Sequence, residues 1–212
     1  MYFVRTPYLV KKLLPGIIWE LSANVPTIYL TFDDGPHPEI TPWILEQLKK
    51  YNAKATFFCL GKNAEKYPEI VRQIIAEGHA VGSHGYHHLN GWKTDTETYL
   101  EDVMNAEKIS KQIGYENTLF RPPYGKTKKS QISNLKSRIP DAQIINWSLM
   151  PGDFDETISS EQCCSNLMKQ MKSGDIICLH DNEKARKHLT YCLPFWLDFI
   201  YNKGLKSDLL TL

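Results

Sequence analysis

From residue 26 onward, short apolar runs alternate with longer stretches in which apolar residues recur every three or four positions. The runs are 26–32 (PTIYLTF), 54–60 (KATFFCL), 79–83, 119–121 (LFR), 143–149 (QIINWSL), 175–179 (DIICL) and 205–211. Several of them are unbroken rather than alternating, which predicts strands buried on both faces. Between the runs the helical period takes over. Thr41 and Pro42 read as a cap and a first helical position ahead of Trp43, Ile44, Leu45, Leu48 and Tyr51. A helix over 68–77 turns Ile70, Val71, Ile74 and Ile75 to one side and stops at Gly78. Further helices are predicted over 96–113, 128–138, 160–172 and 183–203. Strands alternating with helices predict an α/β fold, a parallel sheet covered by helices. Seven or eight such units suggest a barrel; a doubly wound open sheet is the competing architecture. No internal repeat, low-complexity stretch or linker interrupts the pattern, so residues 1–212 are read as one domain.

The length of 212 residues fits one domain, or at most two small ones. A chain of this size buries about 70% of its unfolded surface and builds a core without disulfide staples. With 42% hydrophobic and 23% charged residues, it is neither disordered nor collagen-like. Its 25 basic residues are balanced by 24 acidic ones, and no run of like charge exceeds a pair. That excludes a basic field for non-specific nucleic-acid binding. The cysteines Cys59, Cys163, Cys164, Cys178 and Cys192 are odd in number and form no CxxC pair. Buried, reduced thiols are expected, which favours a reducing compartment. Residues 1–24 are broken by Arg5, Lys11, Lys12, Pro15 and Glu20 and make a poor signal peptide. A cytoplasmic location and a monomer are the expectations. No segment approaches the ~20 apolar residues of a membrane span.

Reactive side chains cluster just after the predicted strands: TFDDGPH at 31–37, SHGYHH at 83–88, RPPYG at 121–125, GDFD at 152–155, and His180 after DIICL. In parallel α/β folds the carboxyl ends of the strands share one face, and that face carries the chemistry. Five clusters from five strand ends therefore converge. Taken singly, each has a plain structural reading. Asp33 and Asp34 ahead of Gly35-Pro36 read equally as a turn pair. His84 and His88, spaced i, i+4, suit two metal ligands or two loop histidines, and His79 and His87 lie close enough to compete. A pair of His with one carboxylate leaves coordination positions open. Arg121 either orients a carboxylate through its fork or caps a helix. His188, inside a helix, reads as an ordinary surface residue. Trp92, Tyr124, Trp147 and Trp196 offer stacking surfaces for sugar rings, with Trp147 and Trp196 better read as core.

Together, TFDDGPH, SHGYHH, RPPYG, DF and CLH, in this order from about residue 27 to 180, resemble the five motifs of the NodB-type polysaccharide deacetylases, carbohydrate esterase family four. KATFFCLG and GHAVGSH are similar to that family's surrounding sequence. The resemblance implies a distorted, incomplete (β/α) barrel with parallel strands. It implies a metal held by Asp34, His84 and His88, with Zn²⁺ the best match and Co²⁺, Ni²⁺ or Fe²⁺ alternatives. It makes Asp33 the catalytic base and Arg121 its orienting partner. His180 becomes the catalytic acid, tuned by Asp153. Tyr124 would present its backbone N–H to an oxyanion, and Phe154 and Leu179 would wall a pocket for the acetyl methyl.

Departures from the family pattern are local. Gly85 replaces a hydroxyl residue and Leu89 a proline in the second motif. Phe154 replaces the usual Trp, and Met150 stands where an Asp is common. The implied function is hydrolytic removal of N-acetyl groups from N-acetylglucosamine-containing glycans, of chitooligosaccharide or peptidoglycan type, with release of acetate. The same centre acting on O-acetyl esters or a non-sugar amide is the nearest alternative, and an inactive glycan-binding module is a third.

Overall fold

The computed structural model describes residues 2–22, 25–116 and 118–210. The strands are β1 (Ile17–Ile18), β2 (Thr27–Asp33), β3 (Ala55–Cys59), β4 (Ala80–Ser83), β5 (Leu119–Phe120), β6 (Gln143–Ile145), β7 (Ile176–His180) and β8 (Lys206–Ser207). The helices are α1 (Tyr8–Leu13), α2 (Ile40–Lys50), α3 (Gly61–Lys66), α4 (Pro68–Ala76), α5 (Thr96–Ile113), α6 (Lys129–Arg138), α7 (Ser160–Gln170) and α8 (Arg186–Asn202). Every named ladder is parallel, and the sheet runs β1-β6-β5-β4-β3-β2-β7, with β8 added beside the start of β2.

This sheet curls into an incomplete barrel, which decides between the two architectures the pattern allowed. The gap between its ends is bridged above β6. There Ser148 N–H donates to the Ile176 carbonyl at 3.0 Å, and Cys178 N–H donates to the Leu149 carbonyl at 2.9 Å. The apolar run 143–149 is thus not one strand: its first part pairs with β5 and β1, and its last residues cross to β7. The predicted strand 205–211 shortens to two residues, and residue 211 lies outside the described residues.

The local sequence explains the elements. TIYLTFD and ATFFC are buried almost throughout because helices cover one face and the barrel interior the other. α4 opens on Pro68, whose missing N–H costs nothing at a first helical position, and buries Ile70, Val71 and Ile74. Asp95 caps α5, its carboxylate accepting from Thr98 N–H at 3.0 Å, and Gly114 ends it at φ 99°. The main core lies between β2, β3, β7 and the helices α2, α4, α7 and α8. Trp196 is fully buried there, its indole N–H donating to the Cys164 carbonyl at 3.2 Å. All five cysteines are free and buried, as expected. Among the described residues, no helix is long and apolar enough to cross a membrane.

Candidate active site

The site starts at the end of β2. Parallel pairing sets Asp33 beside His180 of β7 on one flank and Phe58 of β3 on the other. Asp33 is 2% exposed, and its charge is matched by Arg121, which is wholly buried. The Arg121 Nη1 donates to Asp33 Oδ1 at 2.7 Å and to Thr31 Oγ1 at 2.6 Å, while Nη2 donates to the Asn146 carbonyl at 3.2 Å. The guanidinium lies over the Phe58 ring at 4.1 Å, which keeps water off it. The other carboxylate oxygen, Oδ2, accepts from the Cys178 thiol at 3.3 Å. Asp33 is thereby held with one oxygen on the Arg121 guanidinium and the other on the Cys178 thiol.

His180 is fixed by Asp153, which has no exposure at all. Asp153 Oδ2 accepts the His180 main-chain N–H at 2.7 Å, and Oδ1 pairs with ring Nδ1 at 3.0 Å. Burial works against a charged imidazole here. Asp153, aided by Asp34 and Asp33, outweighs it and raises the His180 pKa to about 9.

Asp34 turns away from β2 at φ 83° and takes Asn182 Nδ2 on its Oδ2 at 2.6 Å. Its Oδ1 is buried without a hydrogen-bond partner. Two imidazole nitrogens face that atom: His88 Nε2 at 3.2 Å and His84 Nε2 at 3.7 Å. Burial opposes ionisation of Asp34, but His180, His84 and His88 outweigh it and its pKa lies below the usual value. Burial, with His84 beside it, pushes His88 down to about 4, so its ring is neutral near pH 7. His84 Nδ1 lies 2.8 Å from the Arg121 carbonyl oxygen; with Nδ1–H donating there, Nε2 keeps its lone pair. A carboxylate and two imidazoles whose ligand atoms lie within 4.8 Å of one another suit a divalent transition cation with open positions. Asp33, Cys178 and His180 form a second close group. Its carboxylate already neutralises Arg121 and its imidazole already answers Asp153, so it is a poorer cradle.

The loop carrying both histidines is shaped by Asp102 of α5. The carboxylate accepts from Tyr86 N–H at 2.8 Å and His87 N–H at 3.0 Å, and pairs with His87 Nδ1 at 2.8 Å. Gly85 sits at φ 75°, and a Cβ there would stand 2.8 Å from the same carboxylate. The loop is therefore held from α5. Asp33, Asp34, His84, His88 and His180 open into a cleft of about 320 Å³ that Tyr124, Lys126, Trp147, Met150, Phe154, Asn182 and Lys184 also line.

Residues 21–138 match the family model described as polysaccharide deacetylase. The chain belongs to the polysaccharide deacetylase family. A peptidoglycan-N-acetylglucosamine deacetylase of Bacillus cereus is 32% identical over 190 residues, 90% of this chain and 89% of that one. A chitooligosaccharide deacetylase of Azorhizobium caulinodans is 36% identical over 163 residues, 76% of each. Among solved structures, a peptidoglycan N-acetylglucosamine deacetylase in complex with 4-naphthalen-1-yl-N-oxidanyl-benzamide superposes with a TM-score of 0.86 at 32% identity. That match covers 95% of this chain and 93% of the other.

Within this deacetylase fold, Asp33, Asp34, His84, His88, Tyr124, Phe154 and His180 line one cleft, with Arg121 and Asp153 directly behind it. Leu179 does not join them. Strand alternation turns Cys178 and His180 to the site, and Leu179 is buried in the main core. His79 is buried against Ala55 N–H, away from the cleft, and His87 is taken by Asp102. His188 is no surface residue: it is 1% exposed and bonds Ser160 Oγ and the Asp155 carbonyl. Trp147 lines the cleft while packing against the core cluster of Phe58, Leu119 and Ile145. Asn182, Asp181, Asp102, Thr31 and Tyr2 had no signal in sequence spacing. Of these, Asp181 accepts Gly35 N–H at 2.8 Å and the Thr41 hydroxyl at 2.5 Å, and a Cβ at Gly35 would overlap its carboxylate. Burial pushes its carboxyl up to about 8.

Proposed function

We propose that this chain removes N-acetyl groups from N-acetylglucosamine-containing glycans of peptidoglycan or chitooligosaccharide type, releasing acetate and a free amino sugar. One observation carries the reading. A carboxylate–imidazole cradle, a carboxylate locked by Arg121 and an imidazolium locked by Asp153 face one cleft. The names of the relatives, which act on peptidoglycan and chitooligosaccharides, supply the substrate class.

Asp34, His84 and His88 would hold a divalent cation, Zn²⁺ being the best match to the donor set. When bound, the cation supplies Lewis acidity toward the acetamide carbonyl and toward water. Asp33 takes the proton of the attacking water as general base; Arg121 keeps it aimed. The Tyr124 main-chain N–H, in a turn held at φ 60°, is assigned to the developing oxyanion. His180 gives its proton to the departing nitrogen, because an amide anion does not leave. Water adds across the C–N bond, so the products are acetate and amine. Exposed Tyr124 lines the cleft, and exposed Trp92 lies beside Lys126, another lining residue, at 5.2 Å; both are assigned as platforms for sugar rings.

The test is acetate release after loading with Zn²⁺, Co²⁺, Ni²⁺ or Fe²⁺. The panel is N-acetylated chitooligosaccharides, peptidoglycan fragments and O-acetylated xylan. Release from the amides supports the proposal. Release from the ester alone overturns it, and metal uptake without any turnover identifies a binding module.

A further inference from the structure

Residues 2–6 run beside the segment that closes the barrel and deliver a side chain to the cleft. Thr6 N–H donates to the Ser148 carbonyl at 2.9 Å, and Met150 N–H donates to the Val4 carbonyl at 2.8 Å. Between them Arg5 pairs with Leu149 as an antiparallel bridge. The Thr6 hydroxyl donates to the Trp147 carbonyl at 2.8 Å. Arg5 clamps both oxygens of buried Asp175 at 2.9 and 2.7 Å and also donates to the Gln170 carbonyl. A bidentate, charge-assisted pair of this kind fixes direction as well as position.

The lacing sets Tyr2 against Phe154, edge to face, with ring centroids 5.0 Å apart. Phe154 in turn meets the His180 ring at 5.1 Å. Gly152, at φ 91°, leaves space that a Cβ would deny: it would overlap the Tyr2 hydroxyl. Burial and the Asp155 carboxylate push the phenol to about 12, so the group stays neutral. Tyr2, Phe154 and Met150 together form the apolar flank of the cleft beside His180.

We propose that Tyr2 sets the length of acyl group that the site accepts. The inference rests on the deacetylase reading above. The acyl carbon must lie between Asp33 and His180, and its alkyl end must point to an apolar wall. Leu179 cannot supply that wall, because it is packed into the core. Phe154 supplies its near part, and the Tyr2 ring closes the space beyond. The ring therefore leaves room for a methyl and excludes a longer chain. Pockets of this kind discriminate by roughly 10–200-fold per methylene.

The experiment compares kcat/KM for matched N-acetyl, N-propionyl and N-butyryl chitooligosaccharides in the metal-loaded wild type, Tyr2→Ala and Tyr2→Phe. Bound metal and thermal unfolding are measured on each. The wild type is expected to prefer acetyl strongly. Tyr2→Ala should raise the butyryl-to-acetyl ratio by about tenfold or more. Tyr2→Phe should keep the wild-type ratio, since the ring and not the hydroxyl fills the space. A ratio in Tyr2→Ala within about twofold of wild type, with metal content intact, overturns the inference while leaving the deacetylase reading standing. A wild type that cleaves none of the three amides overturns the deacetylase reading itself. If Tyr2→Ala does not fold, Tyr2→Val, which keeps an apolar contact on Phe154, gives the same readout.

Discussion

Asp153→Asn removes the charge that keeps His180 protonated and leaves an amide of similar shape in its place. His180 is 14% exposed, and burial alone would lower its pKa; the carboxylates around it, Asp153 foremost, raise it from 6.5 to about 9. At 1.36 kcal/mol per pKa unit, that difference is worth roughly 3 kcal/mol in favour of the imidazolium. The folded-state pKa lies above the unfolded one. The stabilisation is therefore complete below about pH 6.5 and is lost as pH rises toward 9. Without the Asp153 charge, only Asp34 and Asp33 oppose burial, and the pKa falls back toward the ordinary value of 6.5. For a return to 6.5, the protonated fraction at pH 8 drops from about nine-tenths to about 3%, so kcat/KM falls roughly thirtyfold there but less than about twofold at pH 6. The ring is titrated by NMR in metal-free protein, where no cation charge shifts it, and kcat/KM is followed against pH in the loaded enzyme. A variant whose His180 still titrates above pH 8, with an unmoved alkaline limb, would refute the reasoning.

Three further outcomes are expected. His84→Ala and His88→Ala each lose the divalent cation, whereas His79→Ala and His87→Ala retain it, as elemental analysis after dialysis will show; full occupancy in His84→Ala contradicts the ligand assignment. Asp33→Asn keeps the cation but loses about 10²–10⁴-fold in turnover, the usual worth of a general base, and equal metal loss in Asp33→Asn and Asp34→Asn would erase the distinction between their roles. Asp102→Ala leaves the Tyr86 and His87 N–H groups without their acceptor, lowering stability by about 1–3 kcal/mol in denaturant titrations and weakening metal affinity through the displaced loop; an unchanged affinity would mean that the loop holds its shape without α5.

The parts legible in sequence were those with a repeating signal. Buried parallel strands announce themselves as apolar runs, and the reactive residues at their carboxyl ends fell into one cleft, as the order of the motifs implied. What escaped was local or long-range. β1 has two residues and exists only because β6 lies beside it, and α1 and α3 are six residues long, too short for a periodicity to register. His188 sits at a helical position that is polar in type, yet the first residue of α7 and the turn before it offer it two partners and it is buried. Leu179 and Cys178 are neighbours in sequence on opposite faces of one strand, so naming the wall residue required the strand's phase. Tyr2 and Asn182 reach the site by tertiary routes that no spacing encodes.

The placement of β2 has a consequence for the order in which the chain can assemble. β2 forms early in the sequence, but one of its ladders is completed only by β7, where the Thr31 side-chain hydroxyl also donates to the Ile177 carbonyl, 146 positions downstream. Until that strand emerges from the ribosome, the apolar run TIYLTF keeps one unpaired edge, and Asp33 has no His180 beside it. Pairing over such separations is slow, because the loop entropy is lost before any contact compensates. The nascent chain is thus both inactive and open to edge-to-edge association for most of its synthesis.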